Sequence, residues 1–412
     1  MNLWKLICLV PVLSIITGCE KTMEKEQRLE GLLYTDQSPV SVEIADGKIT
    51  KVTRIKKFSN DKKDVFIAPG LFDSQVNGYA GVSFSFGEGG LTAEGVKKAT
   101  RALWEAGVTT YLPTLTTNSH DTLLKNFEIL ARIMDDPELH GSIVGFHLEG
   151  PYISPEDGFR GAHPLRYVRK PDWDEFMELY EASGKNILEV TLAPETEGAM
   201  DFISRCREKG IIVGLGHHNA SAEIIEEAVS RGAGIATHLG NGCANLINRH
   251  LNPLWPQLSD DRLMISIICD GFHLRPEEIN VFYKVKGPEK TIIISDVTSY
   301  AGLAPGEYIT TTGDTVELTP EGMLFFPAQK VLYGSASPIT KGVGHIMEVT
   351  GCSLRQAIRM ASTNPAALYG LKDRGKIKPG MRADLILFTL NNYQIKILKT
   401  IVDGIVVYQS DK

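Results

Sequence analysis

The sequence predicts an α/β protein with a TIM-like (β/α)8 barrel at its centre and a small β-sandwich built from both termini. Eight short apolar segments alternate with amphipathic helical segments in the middle of the chain, which is the count that closes such a barrel. Several of these predicted strands end on a histidine or a carboxylate, where barrels place their chemistry. An open, doubly wound sheet is the alternative, but it would not gather those strand ends around one point.

The predicted strands are short, apolar and bounded by turn residues. They lie at 71–76, 108–112, 143–148, 188–192, 211–215, 235–237, 264–268 and 291–294. Amphipathic periodicity between several of them predicts helices at 93–106, 121–134, 172–181, 199–209, 222–231 and 276–283. After the eighth strand, residues 308–326 are typical of an inserted hairpin, and helices are expected at 339–349 and 354–369.

Both ends of the chain are rich in short alternating strands. Each end carries a hairpin signal, Asp46-Gly47 in the first and Asp403-Gly404 in the second. An isolated hairpin is only marginally stable, so we expect the two ends to pair rather than to form independent edge hairpins. The domain hypothesis is a composite β-sandwich of residues 31–67 and 376–412 around a barrel of residues 68–375.

Residues 1–19 have the composition of a targeting segment. Lys5 precedes an apolar stretch that is too short to span a membrane as a stable helix, and the stretch ends in Ile16-Thr17-Gly18-Cys19. This pattern resembles a bacterial lipoprotein signal, with a lipid on Cys19 and residues 20–30 as a tether. An ordinary secretory signal is the alternative. We therefore expect an exported protein on the periplasmic or cell-surface face, touching a membrane only through its lipid.

The charge balance argues against nucleic acid as a partner. The 412 residues include 43 Lys+Arg against 50 Asp+Glu, for a formal net charge of −7, and no basic cluster stands out. The cysteines after the targeting segment contain no C-x-x-C pair, and their spacing leaves open whether they form disulfides. They are Cys206, Cys243, Cys269 and Cys352.

Three strand ends offer side chains that bind metal ions. Glu149, His217 and His238 end or follow the third, fifth and sixth predicted strands. A lone histidine is more often a structural polar residue, but a barrel would bring all three together. One carboxylate and two imidazoles with an open fourth position form a donor set of catalytic zinc sites. The sequence therefore predicts one divalent ion per chain, with zinc as the expected metal.

Asp296, at the end of the eighth strand, is the candidate acid and base. A carboxylate beside a metal site can accept a proton from water and later deliver it to a leaving amine. A helix N-cap is the alternative role, but no helix start follows Asp296 in the sequence. His147 and His218 adjoin the predicted ligands, and we expect them to be structural, with His147 on the opposite side of its strand from Glu149.

Seven motifs occur in the order found in a known superfamily. They are P-G-L-F-D-S-Q-V-N-G (69–78), H-L-E-G-P (147–151), L-A-P-E (192–195), G-H-H-N-A (216–220), T-H-L-x-N (237–241), D-G-x-H (270–273) and S-D (295–296). The chain resembles the amidohydrolase superfamily and, within it, the N-acetylglucosamine-6-phosphate deacetylases. The resemblance covers residue 31 to the C-terminus.

The resemblance implies hydrolysis of the N-acetyl group of a small-molecule amino sugar to acetate and a free amine. It assigns the metal to Glu149, His217 and His238, and the general base and acid to Asp296. It also implies that His163 polarises the acetyl carbonyl. The implied substrate-binding residues are Asn241, Gly242, Arg249 and His273. Such deacetylases are commonly homodimers in which the phosphate-binding arginine comes from the neighbouring subunit.

The chain departs from the superfamily pattern in its first strand. Gln75-x-Asn77 stands where many amidohydrolases have H-x-H, and residues 188–195 contain no lysine to hold a second metal. Neutral amides are weak ligands for a divalent ion. The sequence therefore favours one metal ion and argues against a dihydroorotase-like or hydantoinase-like enzyme.

A second departure surrounds Arg249. Its spacing from His238 matches the phosphate-binding arginine of the resembled enzymes, but the following residues, H-L-N-P, replace their Glu-Pro. Together with the predicted export, this leads us to expect a substrate that does not depend on a 6-phosphate. The alternative functions are another acyl-amide hydrolase, such as an N-acyl amino acid deacylase, and a non-catalytic glycan-binding lipoprotein.

Overall fold

The computed structural model describes residues 27–58, 64–85, 90–310, 313–327 and 331–411. The predicted signal segment, Cys19 and most of the predicted tether lie outside these ranges. Among the described residues, no helix combines the length and the apolar character needed to cross a membrane. The four described cysteines are free thiols.

The strands account for three sheets and one short hairpin. In chain order they are β1 (Gln27–Leu33), β2 (Pro39–Ala45), β3 (Lys48–Arg54), β4 (Val65–Pro69), β5 (Leu71–Val76), β6 (Gly78–Tyr79), β7 (Val82–Ser83), β8 (Val108–Thr116), β9 (Phe146–Glu149), β10 (Ile187–Leu192), β11 (Ile212–Leu215), β12 (Ala233–Ala236), β13 (Met264–Ile268), β14 (Thr291–Ile294), β15 (Gly306–Ile309), β16 (Thr315–Leu318), β17 (Leu324–Phe326), β18 (Val331–Leu332), β19 (Leu385–Asn391), β20 (Gln394–Val402) and β21 (Ile405–Gln409).

Helices follow most strands of the central sheet and pack around it. They are α1 (Ala93–Glu105), α2 (His120–Met134), α3 (Trp173–Ala182), α4 (Ala199–Glu208), α5 (Ala222–Arg231), α6 (Leu254–Ser259), α7 (Pro276–Lys290), α8 (Ile339–Thr350), α9 (Leu354–Ile358) and α10 (Asn364–Leu368). Side chains cap the N-termini of several of them, as Ser119 does for α2 and Asp172 for α3.

The central sheet is the predicted barrel. Its eight strands pair in parallel in the order β14-β13-β12-β11-β10-β9-β8-β5, and nearly all of their residues are buried, as in a parallel sheet covered on both faces. The sheet closes through a parallel bridge between Val76 of β5 and Val297, three residues beyond the end of β14. The (β/α)8 prediction is therefore confirmed, and the carboxyl ends of all eight strands face one side of the molecule.

The strands of the two chain ends belong to one sheet. Its order, β21-β20-β19-β4-β1-β2-β3, places β19 from the C-terminal part beside β4 from the N-terminal part. Val42, Ile67 and Leu385 lie in a separate apolar core under this sheet. The predicted pairing of the two ends is confirmed, and all seven strands form one hydrogen-bonded sheet.

Three segments differ from the sequence prediction. The inserted hairpin is larger than predicted, because β15 to β18 form a four-stranded antiparallel sheet. The helix predicted at 354–369 is divided by a π-helical turn at Arg359–Thr363, just before Pro365, which has no N–H to continue the usual ladder. Helix α7 runs seven residues beyond the predicted end at 283, across a kink at Gly287.

Candidate active site

The predicted functional residues lie where neighbouring barrel strands end. Glu149 is the last residue of β9, while His217, His238 and Asp296 each follow their strand by two residues. These last three have positive φ angles of 55°, 35° and 52°, a left-handed conformation that is uncommon for residues other than glycine. Such backbone strain clusters at functional sites, where the surrounding structure holds a side chain in place.

Glu149, His217 and His238 form a buried group that fits one metal ion. Their candidate ligand atoms all lie within 4.8 Å of one another. Glu149 Oε1 is 2.9 Å from His238 Nε2 and 3.4 Å from His217 Nε2. The other ring nitrogen of His217, Nδ1, lies 2.9 Å from the carbonyl oxygen of Phe159, which orients the imidazole as an outer-shell partner does in metal sites.

The charges in this group also suit a cation. Burial raises the pKa of Glu149, but its hydrogen bonds with His217 and His238 outweigh burial and hold the pKa well below its usual range. Glu149 is therefore an anion at neutral pH, enclosed with two imidazoles. A buried carboxylate with two nitrogen donors is a donor set that zinc accepts.

Asp296 is held beside this group by two side-chain amides. Gln75 Nε2 donates to Glu149 Oε1 at 2.9 Å and to Asp296 Oδ1 at 3.1 Å. Asn77 Nδ2 donates to the same Asp296 oxygen at 2.7 Å. Burial, followed by the nearby charge of Glu149, raises the pKa of Asp296. A carboxyl group with a raised pKa is suited to accepting and returning a proton.

Asp73 is a supporting residue that sequence reasoning did not single out. Its carboxylate accepts a hydrogen bond from the Ser295 backbone N–H at 3.1 Å and another from the Ser295 hydroxyl. Burial raises the pKa of Asp73 to about 7. These bonds join β5 to the residue just before Asp296, across the seam of the barrel. The signal in the sequence was a carboxylate inside a predicted buried strand.

His163 lies above the metal-ligand group. Its ring meets the His217 ring edge-on, with ring centres 4.4 Å apart, and its Nδ1 is 2.8 Å from Thr117 Oγ1. Burial, and then repulsion from His217, lowers the pKa of His163 to about 3. The imidazole is therefore neutral at neutral pH. The sequence pattern did not point to Thr117.

The predicted substrate-binding residues separate into two groups. Asn241, Gly242 and His273 line the same cavity as Glu149 and the other strand-end residues. The amide Nδ2 of Asn241 is buried and has no hydrogen-bond partner among the described residues, which makes it available to a ligand. Arg249 is exposed and does not line the cavity of its own chain.

The two neighbouring histidines are buried beside the site. His147 lies on the same side of its strand as Glu149, because residues two apart share a face, so the expected opposite orientation was wrong. It sits deeper in the barrel, with Nε2 2.8 Å from Thr191 Oγ1. His218 is also buried, and burial lowers its pKa to about 4. Neither residue lines the cavity.

Comparison with known proteins identifies the family. The sequence profile of the amidohydrolase family matches residues 66–407. This protein belongs to the amidohydrolase family. The predicted superfamily is thus confirmed, and the relatives and structures described next confirm the resemblance to its deacetylases.

Named relatives of this amidohydrolase are N-acetylglucosamine-6-phosphate deacetylases. The one from Homo sapiens is 33% identical over 371 residues, covering 86% of this chain and 87% of the relative. The structure of the Thermotoga maritima enzyme is 30% identical, with a TM-score of 0.80 over 93% of this chain and all of that one. A mutant of the Mycobacterium smegmatis enzyme, solved with N-acetyl-D-glucosamine-6-phosphate, is 25% identical, with a TM-score of 0.82 and 93% and 100% coverage.

We predict close to one tightly bound divalent ion per chain. His217→Ala or His238→Ala removes a ligand and should abolish metal retention, while His120→Ala, on a surface helix, is the matched control. Gln75→Ala should keep the stoichiometry and weaken affinity by about 10–100-fold, as loss of an outer-shell partner does. Metal analysis after dialysis gives the count, and two ions that persist in dilute chelator would contradict the prediction.

Loss of the Asn77 amide should shift the acidic limb of the kcat/KM pH profile to higher pH. The Asn77 N–H stabilises the charged form of Asp296, so Asn77→Ala raises the pKa of that carboxyl further. The base is then protonated at a higher pH, and kcat/KM is lost earlier as the pH falls. Asn280→Ala, which removes helix contacts away from the site, should leave the limb in place. An unchanged limb in Asn77→Ala would contradict the role given to Asp296.

Proposed function

We propose that this amidohydrolase hydrolyses the N-acetyl group of an amino sugar, releasing acetate and the free amine. The observation that carries the proposal is the Asp296 carboxylate, held by Gln75 and Asn77 next to the buried Glu149–His217–His238 group. The names of the relatives support an amino-sugar substrate.

Each side chain of the site has a place in this reaction. An ion bound by Glu149, His217 and His238, with zinc as the expected metal, would supply Lewis-acid chemistry. The Thr117 hydroxyl can donate to His163 Nδ1, which leaves the Nε2–H of the neutral ring to donate to the acetyl oxygen. Asp296 takes a proton from the attacking water and then gives it to the departing nitrogen.

The sugar is held by residues around this centre. Asn241 offers its unpartnered amide N–H, and Gly242 offers a close approach of the backbone. His273 is fixed by Asp270, whose Oδ2 lies 2.8 Å from His273 Nδ1. This leaves its Nε2 to contact a sugar hydroxyl.

We propose further that a 6-phosphate is not required. Among the described residues that line the cavity there is no lysine or arginine, whereas Glu149, Glu278 and Asp296 are acidic. A phosphate dianion would gain little from the lining that one subunit provides. Arg249 could reach a site only in a neighbouring subunit, as the homodimers implied by the resemblance would allow. Leu246 and Leu251, exposed at 93% and 82%, flank it and are apolar surface that a second copy could cover.

Asp296→Asn tests the mechanism. Because the amide cannot accept the proton, kcat should fall by about 10²–10⁴-fold while the fold and the bound metal are retained. Acetate release from N-acetylated sugars gives the rate, and N-acyl amino acids in the same panel test the alternative substrate class. Loss of the metal in Asp296→Asn would show that Asp296 is a ligand instead, and release of acetate only from amino acids would overturn the sugar proposal.

A 6-phosphate on the sugar should raise kcat/KM by less than a phosphate-dependent site would require. We expect kcat/KM for N-acetylglucosamine and N-acetylgalactosamine to lie within about 10³-fold of the values for their 6-phosphates, a limit equivalent to roughly 4 kcal/mol. Arg249→Ala should then change the values for the unphosphorylated sugars little. A larger preference for a phosphorylated sugar that disappears in Arg249→Ala would show that a second subunit supplies the phosphate site.

The lipid anchor is a separate proposal. Ile16-Thr17-Gly18-Cys19 supports lipid attachment at Cys19 and an exported, membrane-anchored protein. Cys19→Ala should release the protein from the membrane fraction without changing its activity in detergent-free lysate. Equal membrane retention of Cys19→Ala and the unaltered protein would contradict the anchor.

A further inference from the structure

The inserted four-stranded sheet forms part of the cavity wall. Strands β15 to β18 lie between the last barrel strand and α8 and are not part of the barrel. Together with the loops that flank it, this segment lines the outer part of the cavity. Its aromatic and aliphatic lining residues are Tyr300, Leu303, Ile309, Leu332 and Tyr333, which we call the outer wall. The deacetylase chemistry described above uses none of them.

The outer wall is held in place by aromatic packing. The Tyr300 ring meets Tyr333 edge-on at 6.2 Å between centres and lies 5.5 Å from Tyr308. Tyr333 in turn packs edge-on against Phe326 at 6.0 Å. Tyr308 donates its hydroxyl to the Ala304 carbonyl oxygen at 2.5 Å, which fastens the loop before β15. The two lining tyrosines therefore belong to one packed aromatic cluster.

The outer wall is uncharged and still open to solvent. Burial raises the pKa of Tyr300, and it raises that of Tyr333 to about 12, so both are neutral phenols. Ile309 is 69% exposed although it lines the cavity. Aromatic and aliphatic side chains of this kind, with a few polar tips, are typical of surfaces that bind rings with one apolar face and several hydroxyls.

The cavity is larger than one amino sugar needs. Its volume is about 750 Å³, which lies in the upper half of the range for drug-sized ligands. The strand-end residues that would act on the acetyl group line this cavity. The outer wall lines the same cavity, so a group attached to the inner sugar can lie against it.

We infer that the outer wall binds a second ring, and that the substrate is an uncharged N-acetylated amino sugar linked to another sugar. The inner ring would present its acetyl group to Asp296, and the outer ring would cover Ile309, Leu303 and the tyrosine faces. Removing these apolar surfaces from water favours binding. This inference rests on the proposed deacetylase function and adds the class of substrate that the function uses.

The test compares a disaccharide with its monosaccharide. We expect kcat/KM for acetate release from N,N′-diacetylchitobiose to exceed that from N-acetylglucosamine by about tenfold, equivalent to about 1.4 kcal/mol. Tyr300→Ala should bring the ratio close to one, and Ile309→Ser, on an exposed strand, should lower it about threefold. Ile405→Ser, another exposed isoleucine on a strand of the terminal sheet, is the matched control and should leave the ratio unchanged.

A binding measurement separates this inference from the proposed function. Calorimetry with the Asp296→Asn protein should show that the disaccharide binds about tenfold more tightly than the monosaccharide. Acetate release with no disaccharide preference in rate or binding would overturn the second-ring site and leave the deacetylase proposal intact. Tighter disaccharide binding without acetate release from any sugar would support the second-ring site and overturn the deacetylase proposal.

Discussion

The site depends on one amide group that lies between two buried carboxylates. Gln75 Nε2 donates to both Glu149 and Asp296 and so bridges two carboxylates that repel each other. Asn77 adds a second donor to Asp296. The hydrogen bonds with His217 and His238 keep Glu149 an anion, and the two amides hold Asp296 beside it. Gln75 and Asn77 thus occupy the two positions at which many amidohydrolases have H-x-H.

The barrel provides the rigid frame that this arrangement needs. Parallel strands bring Glu149, His217 and His238 together from distant parts of the chain, and their left-handed backbone turns set the direction of both histidines. Asp73 secures the seam next to Asp296 through Ser295. The composite sheet of the two chain ends lies outside this centre and adds its own core. Precision at the site therefore comes from strand ends and their hydrogen bonds, with loops supplying the proposed substrate contacts.

Much of this could be predicted from the sequence because it follows simple periodicity. Apolar strands ending on ligand-type residues indicated the barrel and the group around Glu149, and the absence of H-x-H at Gln75 indicated one ion. Contacts between side chains of distant strands could not be predicted, since no local pattern records them. The bonds from Asp73 to Ser295 and from Thr117 to His163 are of this kind. The orientation of His147 was wrong because the two-residue strand period was misapplied, and the sheet of β15 to β18 was underestimated because its strands are very short.

The central claim is that one bound ion, with Gln75 and Asn77 in place of H-x-H, is sufficient for the proposed hydrolysis. Titrating metal-free protein with zinc, while following acetate release from the best sugar of the panel, tests it most directly. The account predicts that the rate rises in proportion to added zinc and reaches its plateau at one equivalent per chain. A rate that keeps rising to two equivalents would contradict it.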